Sequence, residues 1–170
     1  MCLLPYDYRL DMMPAWLQQL EMESLGKCTS SNGAKRIQTR TGQGIWGSNG
    51  NCGQHSFYQW LREGTWCTSI NLIKVEDPGH KHDEMACVLN ANADAQAEAL
   101  VTREIATYFN SLAVSTLKKL TPETLGALMA MYENKTTILG QLLDINPFDQ
   151  PGVEYAKKTC IKIRKSILTK

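Results

Sequence analysis

The chain has 170 residues, 43% of them hydrophobic and 21% charged, with a formal net charge of +1 at pH 7. That length suits a single domain over residues 1–170, long enough to bury a real core. Near-neutral charge removes any general electrostatic reason to expect nucleic acid or an anionic membrane as partner.

Six cysteines stand apart at Cys2, Cys28, Cys52, Cys67, Cys87 and Cys160, and no two make a C-x-x-C pair. Met1 to Met13 carries Asp7, Arg9 and Asp11 among its apolar residues, so it reads as neither a signal-peptide core nor a membrane span. Scattered thiols of this kind fit a reducing compartment, and a cytoplasmic protein is expected.

Pro14 opens the first predicted helix, which runs to about Glu23 with Trp16, Leu17 and Leu20 as apolar contacts. Gln19 and Glu23 sit four apart, so both side chains leave from one face. Lys27 to Gly44 is polar and turn-rich; Asn32-Gly33 marks a hairpin turn, with Lys35 to Thr39 as a possible return strand. Ile45-Trp46 is short and reads as buried. The three glycines and two asparagines of Gly47 to Gly53 predict unusual backbone angles or a close approach to something. A helix is expected from about Gln54 to Arg62, burying Phe57, Trp60 and Leu61.

Ser69 to Val75 alternates and reads as a strand, ended by Asp77-Pro78-Gly79. Glu84 to Tyr108 is alanine-rich, one helix or a broken pair. Thr121 caps and Pro122 opens a further helix to about Tyr132, while Thr136 to Ile145 stays open between helix and strand. Pro151 then opens the last helix. On it Val153, Ala156, Cys160, Ile161 and Ile167 recur at helical spacing, which predicts a stripe facing a core. After the last acid, Glu154, come Lys157, Lys158, Lys162, Arg164, Lys165 and Lys170, read as a solvated helix end rather than a binding patch. The sum is a helix-rich α/β protein with few strands, hence an incomplete sheet or one shared with another chain.

Three side chains are candidates for chemistry. Glu23 shares its face with Trp16 and Leu20, and desolvation at an apolar border makes a carboxylate a better proton acceptor near neutral pH. The bland alternative is a surface glutamate near a helix end. His55 falls in a first helical turn, where the dipole favours a neutral imidazole; otherwise it is a loop histidine satisfied by hydrogen bonds. Lys157 lies inside the apolar stripe, so its ammonium either snorkels outward or is held for a function. Cys52 and His55 do not read as a nucleophile pair, because a first-turn histidine points away from the loop before it. His80-Lys81-His82-Asp83-Glu84 lacks four-ligand spacing and reads as an exposed loop, so no metal is expected.

Several stretches are similar to one family in the same order. These are Leu4-Pro5-Tyr6-Asp7, then Gln18-Gln19-Leu20-Glu21-Met22-Glu23-Ser24 with Gly26-Lys27, then Gly53-Gln54-His55-Ser56-Phe57-Tyr58-Gln59. Ala95-Gln96-Ala97-Glu98-Ala99-Leu100 and Leu120-Thr121-Pro122 with Leu125-Gly126-Ala127-Leu128 follow. Phe148-Asp149-Gln150, Gly152-Val153-Glu154 and Lys157 close the series. Together they resemble the C-terminal part of the phosphoglucose isomerase (glucose-6-phosphate isomerase) family.

The resemblance implies an α/β, three-layer sugar-isomerase (SIS) domain with a small parallel sheet, needing no cofactor or metal. It implies interconversion of glucose 6-phosphate and fructose 6-phosphate, with Glu23 moving a proton between C1 and C2 through a cis-enediol. His55 and Lys157 would serve ring opening, and Gln19 and Gln150 would contact the phosphosugar. It also implies a homodimer in which His55 completes a neighbour's site, or a chain that supplies the N-terminal half.

Departures from the family pattern are local. The loop usually written Gly-Glu-Pro-Gly-Thr-Asn-Gly-Gln-His is here Gly47-Ser48-Asn49-Gly50-Asn51-Cys52-Gly53-Gln54-His55. Leu25 replaces an asparagine, Pro151 replaces a tryptophan, and the Gly-Asn-Arg-Pro block has no counterpart near Phe109 to Ser115. The half with the phosphate cradle and an enediolate-stabilising arginine is missing, so anchoring energy must come from elsewhere. Two expectations follow: an isomerase completed by that half, or a catalytically inactive remnant serving dimerisation or interaction.

Overall fold

The computed structural model describes residues 1–102 and 111–168. Four strands, β1 (Cys2–Pro5), β2 (Trp46–Gly47), β3 (Ser69–Asp77) and β4 (Ser111–Lys119), form one sheet in the order β2-β1-β3-β4. Every pairing is parallel. A parallel sheet needs cover on both faces, and the strands carry apolar side chains on both. Leu3, Ile73 and Val75 face one side; Cys2, Leu4, Ile70 and Leu72 face the other.

The first side is covered by α1 (Met13–Leu25) and by a helix near the end of the chain, α5 (Pro122–Leu142). Met13 and Leu17 meet Leu128 and Tyr132 there. Between α1 and that helix in sequence come α2 (Gly50–Gly53), α3 (Tyr58–Glu63) and α4 (Asp83–Val101). Tyr58 and Leu61 of α3, with Ala93 and Leu100 of α4, close the second side. The last helix, α6 (Pro151–Leu168), starts beyond the turn that follows α5.

The caps expected of α5 are present. Thr121 Oγ1 accepts a hydrogen bond from the Thr124 N–H, the Thr121 N–H donates in return to Thr124 Oγ1, and Pro122 sits at the start. Residues 136–142 simply continue this helix. The proposed return strand at 35–39 reduces to a single antiparallel bridge, Thr29 to Arg36, across a turn in which Gly33 has φ 71°. One stretch departs further from expectation. A strand, β4, occupies a stretch for which none was predicted. The alanine-rich helix ends at Val101, and the rest of its expected span, 103–108, lies outside the described residues.

The helix after the glycine loop is shorter than expected. α3 begins at Tyr58, Trp60 is 42% exposed, and the buried aromatic is Tyr58 rather than Phe57. Tyr58 is there because its hydroxyl meets that of Tyr6 at 2.7 Å in the core. Gly50 lies under the Tyr6 ring, where a Cβ would come within 2.1 Å of Cε2. That contact is the close approach the glycines foretold.

The apolar stripe on α6 does not face a core. No residue of α6 is buried, and Val153, Ile161 and Ile167 are all exposed. The chain exposes 11391 Å², against ~8,400 Å² expected for a closed monomer of this mass. Among the described residues no helix is long and apolar enough to cross a membrane.

Candidate active site

A cleft of about 390 Å³ opens between the end of α1, the loop that follows it, and the beginning of α6. Glu23, Lys27 and Cys28 line one wall; Gln150, Pro151, Gly152 and Val153 line the other. The walls differ in backbone polarity. α1 ends here with its carbonyls, whereas α6 begins here with its N–H groups, of which those of Val153 and Glu154 are bonded to the Gln150 carbonyl. Glu23 and Gln150, remote in sequence, are therefore brought to one cavity.

Glu23 is exposed in this chain, not desolvated as its apolar neighbours suggested. Trp16 and Leu20 turn toward the α1–α5 core, and the acid stands past them on the cleft. Gln19 is also exposed, one turn earlier on the same face, and is not among the lining residues. Leu25, where the family pattern has asparagine, is buried in the core beneath the cleft.

Lys157 stands one helical turn beyond Val153 on the same face of α6. Its ammonium is solvent-exposed and bonded to Glu154 Oε1 at 2.7 Å. His55 is elsewhere. It lies in the turn between α2 and α3 rather than in a helix, and is exposed. That segment packs on the α3–α4 side of the sheet, whereas Glu23 belongs to the α1–α5 side. One copy of the chain does not bring the acid and the imidazole together.

The loop before His55 is held by amides in place of the family's charge and proline. Asn92 of α4 donates to Asn51 Oδ1 at 3.0 Å and accepts from Gln54 Nε2 at 3.0 Å. Asn49, buried, caps α2 by accepting from Asn51 N–H at 3.1 Å. Trp46 braces the same segment edge-on to Phe57, ring centroids 4.9 Å apart. Sequence reasoning named none of these supports, because Asn92 lies in a helix with no local sign that it reaches back to the loop.

It also passed over Glu21. This carboxylate is fully buried and ion-paired with Lys135 of α5, whose side chain is 35% exposed. All six cysteines are free, five of them exposed. No group of three or more potential metal donors gathers among the described residues, and His80 and His82 are exposed beside each other.

The phosphoglucose isomerase profile matches residues 1–170. The chain belongs to the phosphoglucose isomerase family. Glucose-6-phosphate isomerases of Saccharophagus degradans and Roseiflexus sp. are 41% and 40% identical to it, over 91% and 98% of the chain. A crystal structure of a glucose-6-phosphate isomerase from Chlamydia trachomatis superposes with a TM-score of 0.82 over 98% of the chain at 31% identity. The chain spans about a third of the length of the curated relatives it matches, 33% and 34% for those two. A helix-rich α/β fold on a small parallel sheet is thus shared with this part of the isomerases.

Proposed function

We propose that this chain forms part of an aldose–ketose isomerase that interconverts glucose 6-phosphate and fructose 6-phosphate. What carries the reading is the cleft that Glu23 and Gln150 share, together with the activity for which the relatives are named. Glu23 acts as the base that takes the proton from C2 of the aldose and returns it to C1 of the ketose. Gln19 and Gln150 bind sugar hydroxyls. Lys157 and His55 move the ring proton when the sugar opens.

His55 acts in the site of another copy, because the sheet separates it from Glu23 within one chain. The uncovered area, ~3,000 Å² on this chain alone above that of a closed monomer, far exceeds the ~800 Å² per partner of a standard interface and falls in the obligate class. We assign it to the remainder of the isomerase architecture, carried on the same polypeptide or on another, with the phosphate site and the arginine.

The test is reconstitution. Co-expression with the front two-thirds of the Saccharophagus degradans relative should yield turnover of fructose 6-phosphate in a coupled assay. Glu23→Gln should then lower kcat by at least ~10²-fold, the range for a positioned general base. Turnover indifferent to Glu23 would remove it from the mechanism. Complete inactivity of a well-folded assembly would favour the other reading, a non-catalytic interaction domain, which the altered Gly47–His55 loop also favours.

A further inference from the structure

Lys27 carries a charge, yet its side chain is only 7% exposed. The side chain is covered, and an ammonium drawn partly out of water is costly unless its donors are taken up. Two of them are. Nζ donates to the carbonyl oxygens of Glu23 at 2.9 Å and Ser24 at 2.6 Å, groups left unpaired where α1 ends. Nζ also lies 3.7 Å from Asp149 Oδ1, across the cleft.

Asp149 is itself anchored. Its other oxygen accepts from Asn146 Nδ2 at 3.0 Å. Pro147, in the same loop, rests against α5 where Gly140 has no side chain; a Cβ there would lie 2.9 Å from Pro147 Cγ. The loop that presents Gln150 is therefore attached in three places: to α5, to Ser31 of the loop after α1, whose N–H and Oγ donate to the Asp144 carbonyl and Oδ1 at 2.7 Å each, and, nearest the cleft, to Lys27.

We propose that Lys27 is a positioning residue that ties the Glu23 end of α1 to the Gln150 loop through Asp149, and so sets the spacing of the two cleft walls. Its catalytic consequence rests on the isomerase reading; the tie itself is a property of this chain alone. Arginine preserves the charge and reach at this position. Methionine preserves the stem and removes all three donors.

Hydrogen exchange on the chain by itself tests the tie. Lys27→Met should speed amide exchange at Val153 and Glu154, whose N–H groups are bonded to the Gln150 carbonyl, about threefold, the worth of a half-exposed ion pair, while residues 17–20 keep their protection. Asp149→Asn should shift the same amides in the same direction by less, and Lys27→Arg should stay near the parent. In the reconstituted isomerase, Lys27→Met should lower kcat with its pH profile unmoved, and Lys27→Arg should restore it. A folded Lys27→Met chain exchanging at the parent rate at Val153 and Glu154 would overturn the proposal. If Lys27→Met does not fold, Asp149→Asn, at a carboxylate 53% exposed, decides by the same criterion. An inactive parent assembly would count against the isomerase reading, and exchange would still decide the tie.

Discussion

Glu21 and Glu23 are two residues apart on α1 and have opposite fates. At about 100° per residue they point some 200° apart around the helix axis. Glu21 is driven into the α1–α5 seam and paired with Lys135, whereas Glu23 is left on the cleft. The buried acid fixes how α1 lies against α5, and through that where the exposed one stands.

Lys135→Met would leave the buried Glu21 carboxylate without its counter-ion, holding only a long hydrogen bond from Gln43 Nε2 at 3.5 Å. We expect a loss of about 3 kcal/mol, the low end for a broken buried pair, since Lys135 itself is partly solvated. Replacing both residues, Glu21→Leu with Lys135→Met, should recover most of it. Urea midpoints of the two variants settle the matter; equal losses would mean the ion pair does not hold the seam.

Asn92→Ala removes both amide bonds to the His55 loop. The expected cost is about 1–2 kcal/mol, two ordinary hydrogen bonds. Exchange should quicken at residues 51–55 and stay slow in β3. Uniform loosening of the whole sheet would show that Asn92 supports the core rather than the loop.

Alkaline pH should unfold the chain through its buried thiol and phenols; burial raises Tyr6 and Tyr58 as well, and two groups fall within reach of the measurement. Burial pushes the Cys2 thiol up to about 12, against the opposing pull of the N-terminal ammonium. Burial, with the charge of Glu21 adding to it, pushes the Tyr132 hydroxyl up to about 12. Both protons are held more tightly in the folded state. Their contribution is therefore complete below the unfolded values, 9.0 for the thiol and 10.0 for the phenol, and is lost as pH rises toward about 12. Urea midpoints measured from about pH 8 to 11 should fall through that window, and Tyr132→Phe should make the fall above pH 10 less steep, the rest of it coming from Cys2, Tyr6 and Tyr58.

Truncation after Val153 should leave the rest of the fold as stable as before, within ~0.5 kcal/mol, because α6 buries nothing. Thermal unfolding of the shortened chain measures this. A drop of several degrees would mean that the α6 stripe is covered in solution by the chain's own core.

What could be read without coordinates was local or collinear. Pro14, Thr121 and Pro122 mark helix starts because the orphan donors of a first turn impose the same chemistry on any helix. The order of short matches from Leu4 to Lys157 identified the family. Tertiary structure decided the rest. β4 escaped notice because it is an edge strand whose positions are exposed or only half-buried, so burial imposes no clear alternation on its sequence. Periodicity showed that α6 has an apolar face and could not show whether anything in the chain lies against it. The two acids of α1 look alike in sequence; Lys135, 114 residues away, determines which one is buried, and packing between remote segments leaves no mark on either neighbourhood.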